Sequence, residues 1–197
     1  PHTFPKVDVV VLGYVEPLAH DGEWEGNEVI SWKVQTVGDS LVAFVGVKFS
    51  YWGDIIYYIG EQLAKSAQQL IYVGKLGSLH ENDVPNKTIA TGNSSRVGDE
   101  EIVWTNIGWI AKACQDNRVG FSYLHLVTDN LHGHFMEDLT NERDQKVLEK
   151  RLQYVGIIKS ILWHTIASKD VSLMAAVLQA QQKRVDRGLM RPLKRDW

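Results

Sequence analysis

Two short stretches of the chain carry residues able to do chemistry. In LIYVGKLGSLHENDVPNKTIATG, Leu70 to Gly92, an apolar run leads into Gly74-Lys75-Leu76-Gly77-Ser78, and a second run ends at Thr91-Gly92. Glycines at the end of a buried strand let the backbone come close to a ligand. Gly74, Gly77 and the Ser78 hydroxyl could offer N–H groups and an O–H to a phosphate, a water or a sugar. The same residues also make a tight strand-exit turn. In GFSYLHLVTDNLHGHF, Gly120 to Phe135, a strand-like run ends at Thr128-Asp129-Asn130, and an aspartate in that position either serves a site or caps a turn. His132 and His134, with Glu137 and Asp138, have the look of a metal cluster. His-x-His can chelate from a strand, but no third ligand stands out, so no metal is expected.

The elements around these stretches argue an α/β fold. VDVVVLGYV (Val7–Val15) is a continuous β-branched run that passes Gly13, as expected for a strand buried on both faces. EVISWKVQTV (Glu28–Val37) alternates, and SLVAFVGVKF (Ser40–Phe49) is mostly apolar, with Val37-Gly38-Asp39-Ser40 between them as a hairpin turn. Ile55, Ile56, Ile59 and Leu63 recur at helical spacing after Asp54, a plausible N-cap. Leu70–Val73 and Thr88–Ala90 read as strands, Ile107–Asn117 as a helix and Gly120–Asp129 as a strand. A long helical pattern starts near Asp138 or Thr140, and a last one spans Asp170–Gly188. The expected architecture is one domain over residues 1–197, with a mixed, mostly parallel central sheet flanked by helices and a helical extension from about residue 140. In such sheets ligands bind outside the carboxyl ends of the strands, where Gly13, Gly74–Ser78 and Thr128–Asn130 would converge.

Composition narrows the setting. The chain has 197 residues, 44% of them hydrophobic and 23% charged, enough for one sizeable core. A net charge of −3 gives no general attraction to nucleic acid or to an acidic membrane surface, and no apolar run approaches spanning length. The single cysteine, Cys114, cannot close an internal disulfide, so a reducing, cytoplasmic setting is expected. The chain opens on Pro1 without an initiator Met, as a processed chain or a piece of a longer one would.

Together these segments resemble the nucleoside phosphorylase/nucleosidase superfamily. VVVLG is similar to its first strand and glycine, and FVGVKFSYWGDIIYYIGEQL to its strand–Gly-x-Gly–helix unit. YVGKLGSLHENDVPNKTIATG is similar to its Gly-x-x-Gly-Ser turn and ATG strand, and SYLHLVTDNL to its strand ending in Ser-Asp. The resemblance runs from about Val7 to Leu131 and implies a phosphorylase-like sandwich that cleaves an N-glycosidic bond. It implies Asp129 as the acid acting on the purine base, with Asn130, His132 and Phe121 near the base. Gly13, Gly74, Gly77 and Ser78 would bind the substrate, and Gly77, Ser78 and Arg96 the phosphate.

Thr105-Asn106 stands where the family has Met-Glu, whose glutamate holds the ribose hydroxyls; the Asn106 amide can hydrogen-bond a hydroxyl without supplying charge. GYVEP replaces the phosphate-binding Asp-Pro and Arg of many phosphorylases. The resemblance thus implies a small-molecule purine nucleoside as substrate, hydrolysis or phosphorolysis as the reaction, phosphate as the one possible co-substrate, no other cofactor, and a homo-oligomer. The alternative is a catalytically weak nucleoside- or nucleotide-binding module of the same fold.

Overall fold

The computed structural model describes residues 3–49, 54–78, 89–92, 106–130 and 145–168. Among the described residues there are seven strands: β1 (Val9–Gly13), β2 (Glu25–Gly26), β3 (Ile30–Val37), β4 (Ser40–Val47), β5 (Gln69–Ser78), β6 (Ile89–Gly92) and β7 (Gly120–Asn130). The described residues also form three helices: α1 (Asp54–Ala64), α2 (Asn106–Asp116) and α3 (Gln145–Ser168). The strands form one sheet in the order β2-β3-β4-β1-β5-β7-β6. β1 runs parallel to both β4 and β5, whereas β3 is antiparallel to β4 and to β2, so the sheet is mixed as expected. No described helix is long and apolar enough to cross a membrane.

The chain divides into two compact units, Pro1–Gly74 with Gly92–Leu124, and Lys75–Thr91 with His125–Trp197. In the first, alternation across the strands sorts side chains to two faces. Val10, Leu12, Ile30, Trp32, Ala43, Val45 and Leu70 join Ile56, Leu63 and Ala64 of α1 and Ile110 and Cys114 of α2 in one core. Val9, Val11, Val42, Phe44, Ile71 and Val73 point the other way and are buried too, which is why β1, β4 and β5 read as unbroken apolar runs. At Gly60 the two helices come together: a Cβ there would lie 3.2 Å from the Ala113 Cβ and 3.3 Å from the Ile110 Cα. Helix α2 ends in a Schellman cap. Val119 N–H donates to the Cys114 carbonyl at 2.9 Å and Arg118 N–H to that of Gln115 at 3.1 Å, with Arg118 left-handed at φ 58°.

The second unit holds the ends of β5 and β7, β6, and α3. Along α3 the residues Val155, Ile158, Ile161, Leu162, Thr165 and Ile166 are buried at intervals of three and four, the stripe a 3.6-residue period requires. Leu152, which shares their apolar character, is 50% exposed and falls outside the stripe.

Several element boundaries differ from the sequence reading. Gly74–Ser78 is no turn: the chain stays extended to Ser78, so β5 runs five residues beyond its last pairing with β1, Gly13 with Val73. Its other neighbour, the 11-residue β7, continues to offer ladder partners after β1 has ended, and those bonds outweigh the roughly 0.5–1 kcal/mol that a glycine costs in a strand. β3 begins at Ile30 rather than Glu28, because the Asn27 side chain accepts the N–H groups of Val29 and Ile30, both at 2.9 Å, and bends the chain there. That bend creates the two-residue β2, too short to leave a periodicity. The hairpin at Gly38-Asp39 forms as read, with Val37 paired to Ser40. The helix expected over Asp170–Gly188, and the residues expected to start the long helix near Asp138, lie outside the described residues.

Candidate active site at the switch point of the sheet

The strand order marks where an open α/β sheet is expected to bind a ligand. From β1 the chain passes to β2, β3 and β4 on one side; α1 then returns it past β1 to β5, and from β5 it goes to β6 and β7 on the other side. Connections that leave neighbouring parallel strands in opposite directions part company at the carboxyl ends of those strands, which is where open α/β sheets bind ligands. In this chain the strands are β1 and β5, and the residues at the parting are Gly13 and Gly74.

Gly13 is there for a steric reason. Its φ is +118°, a region closed to L side chains, and a Cβ would fall 2.1 Å from the Val73 carbonyl oxygen. Without one, the Tyr14 N–H reaches that same oxygen at 2.8 Å and closes the end of β1 onto β5. Tyr72 reaches this spot too, its Cε2 atom 3.5 Å from the place a Gly13 Cβ would take, and burial raises the pKa of its phenol. Tyr72 did not stand out in the sequence, because a tyrosine inside an apolar strand run carries no signal of its own.

The loop leaving Gly13 is bonded to itself and to β3. Val15 N–H donates to the Gly13 carbonyl at 3.0 Å, and Leu18 and Ala19 both donate to that of Val15, at 2.9 and 3.0 Å. At its far end His20 N–H donates to the Gln35 side-chain oxygen, and the Lys33 ammonium donates to the His20 carbonyl, each at 3.1 Å. The Lys33 ammonium also lies 4.8 Å from the centre of the Trp24 ring.

The other residues singled out in the sequence fall as follows. Phe121 is half-buried and packs against the core of the first unit, and Asn106 opens α2 in that unit. Gly77 and Ser78 end β5, and Asp129 and Asn130 end β7, all in the second unit. Gly120 N–H, at the head of β7, donates to the Gln68 carbonyl just before β5, so the two strands start side by side and run the same way. Arg96 and His132 lie outside the described residues.

A second polar group, on the outer side of the helices, was not foreseen. Tyr57 of α1 donates its hydroxyl to Asp116 of α2 at 2.7 Å, and Lys112 reaches the same carboxylate at 2.9 Å. The hydrogen bond to Asp116 pushes the Tyr57 phenol up to about 12, and bonds from Lys112 and Tyr57 hold the Asp116 carboxyl below its ordinary value. This is a clamp between two helices, in which the phenol and ammonium are already committed to the carboxylate. Cys114, fully buried beneath it, has its thiol pushed up to about 12 by burial and is no nucleophile.

Solved structures with the same arrangement decide the fold. A methylthioadenosine phosphorylase sourced from an Antarctic soil metagenomic library matches with a TM-score of 0.58 at 13% identity, over 96% of this chain and 100% of that one. A candidate methylthioadenosine nucleosidase from Weissella paramesenteroides matches with a TM-score of 0.56 at 10% identity, over 85% of this chain and 100% of that one. The chain has the nucleoside phosphorylase/nucleosidase fold. No family model and no curated protein matches the sequence. At identities this low the phosphorylase/nucleosidase fold is held by burial pattern and topology, with different side chains filling the same layers.

Proposed function

We propose that the chain cleaves the N-glycosidic bond of a purine-type nucleoside. The observation that carries this reading is the β1–β5 switch point, two strands parting at Gly13 and Gly74 in a sheet that shares its fold with a nucleosidase and a phosphorylase. In the reaction, the bond between the anomeric carbon and the base breaks with its electron pair departing on the base, and positive charge develops on the sugar. Asp129 is the acid: its proton neutralises the departing base, which makes it a better leaving group. By resemblance to the nucleoside phosphorylase/nucleosidase superfamily, Gly13, Gly74, Gly77 and Ser78 would be the substrate's backbone contacts, the Asn106 amide the partner of a sugar hydroxyl, and Phe121, Asn130 and His132 the contacts of the base.

Release of free base from a panel of purine and pyrimidine nucleosides tests the proposal, with wild type compared against Asp129→Asn. Removing the acid is expected to slow release by about 100-fold or more. Equal rates in the two proteins would remove Asp129 from the mechanism. Tight nucleoside binding with no release in a folded sample would instead support the binding-module reading, which Asn106 in place of a charged ribose ligand favours.

A further inference from the structure

We propose that the outer face of α1 and α2 is the surface on which a second copy of this chain docks, about a two-fold axis. Ile55 and Tyr58 stand three residues apart on α1 and share one face, and Trp109, Lys112 and Asp116 do the same on α2 at spacings of three and four. The close approach at Gly60 brings the two rows together, and Tyr57 joins them. Its ring centre lies 5.7 Å from that of Tyr58 and 6.4 Å from that of Trp109, both edge-on. The Lys112 ammonium is 5.8 Å from the same ring, and the Tyr57 hydroxyl is bonded to Asp116. Tyr58 is 60% exposed, Ile55 49% and Trp109 39%. Single apolar residues on a surface are ordinary, whereas a tryptophan, two tyrosines and an isoleucine gathered in one place have the composition of an interface centre. All of them belong to the first unit.

The charges beside the aromatic centre choose the partner. Glu61, one turn along α1 from Tyr57, pairs with Lys65 at 3.1 Å, and Asp116 pairs with Lys112 at 2.9 Å. These two pairs sum to zero, so a strongly acidic or basic partner finds no excess of opposite charge in them. The same face given a half-turn offers a carboxylate to each ammonium and an ammonium to each carboxylate, the self-complementarity an isologous contact needs.

The size of the face sets the strength of the pairing. Eleven residues make a helix about 16 Å long, and two helices side by side are about 20 Å across, so each protomer gives roughly 300 Å². A standard stable interface takes about 800 Å² from each partner. The dimer is therefore reversible and depends on concentration. It needs nothing of the chemistry proposed above.

Sedimentation velocity of the full chain tests this, from about 1 to 200 μM, the range in which weak interfaces assemble. The wild-type mass is expected to rise with concentration from that of one chain toward that of two. Tyr58→Glu and Ile55→Glu each place an unpaired carboxylate in the apolar centre, and each should raise the dissociation constant at least about 10-fold. Both positions are open to solvent, so the urea midpoint and the circular dichroism should stay those of the wild type. Leu152→Glu is the control: Leu152 is as exposed as Ile55 but lies on α3 in the second unit, and its variant should associate like the wild type. A single-chain mass at every concentration would overturn the proposal and leave the face to a partner of another kind. Association that Tyr58→Glu and Ile55→Glu leave unchanged, or that Leu152→Glu weakens as much, would overturn it by placing the interface elsewhere. Growth past two chains without a limit would overturn the two-fold arrangement.

Discussion

Replacing Gly13 by alanine isolates what the junction of β1 and β5 needs from its backbone. Two costs combine at this position. The φ of +118° is strained for any L residue, about 1–3 kcal/mol. The new methyl would also sit 2.1 Å from the Val73 oxygen, so the strand ends must separate and the Tyr14–Val73 hydrogen bond is lost, a further 0.5–1.5 kcal/mol or so. Alanine recovers about 0.4–1 kcal/mol by restricting the unfolded chain. The net expectation is a loss of about 2–3 kcal/mol, a fall in Tm of roughly 5–10 °C for a chain of this size. Two controls separate the contributions. Gly22 has φ +136° with nothing within 4 Å of a Cβ, so Gly22→Ala reports strain alone. At Gly26 a Cβ would lie 2.8 Å from the Ile30 oxygen with no left-handed φ, so Gly26→Ala reports the clash alone. Urea denaturation followed by tryptophan fluorescence gives all three values. If Gly13→Ala costs no more than Gly22→Ala, the close approach of β1 and β5 is not what holds the junction.

Arg118 sits left-handed in the cap of α2, so Arg118→Gly should stabilise by about 0.5–1 kcal/mol, read as a higher urea midpoint with an unchanged slope. The Tyr57 phenol keeps its proton to about pH 12 in the folded chain and loses it near 10 when unfolded. The folded state therefore holds more protons across that window, and stability should fall as pH rises through it. Asp116→Asn removes the largest cause, and a spectroscopic phenolate titration should then find Tyr57 closer to 10. Asp116 works in the opposite direction: its contribution is present above the ordinary carboxylate pKa and fades as pH falls through its depressed folded value. Cys114, with its thiol pushed up to about 12, should not react with a maleimide near pH 8 in the native protein and should take up one equivalent on unfolding.

The fold was largely legible because its strongest signals are long and redundant. The unbroken apolar run of β1, the helical spacing of Ile56, Ile59 and Leu63, and the two-residue hairpin at Gly38-Asp39 each follow from burial or turn chemistry within a few residues. The misread features depend on partners distant in sequence. The stretch Gly74–Ser78 is extended because of β7, which begins more than forty residues later. Ile55 belongs to the apolar pattern of α1 yet is 49% exposed, because the helix turns only one stripe toward the core. The Tyr57–Asp116 clamp joins residues 59 apart, and neither position shows any local sign of the other. The candidate site divides the same way. Gly13 could be picked out by its place at the end of a strand, whereas the contributions of Val73 and Tyr72 follow only from the β1–β5 register.

The loop after β1 is tied at both ends, to Val73 through Tyr14 and to β3 through His20. A span fixed at two points behaves as a wall and not as a door. Any small molecule that enters past it meets a surface already in its final shape, so little ordering entropy is spent there on arrival. Encounter should then proceed without waiting for this loop to open, and differences in affinity between one ligand and the next should show up as differences in how long each stays.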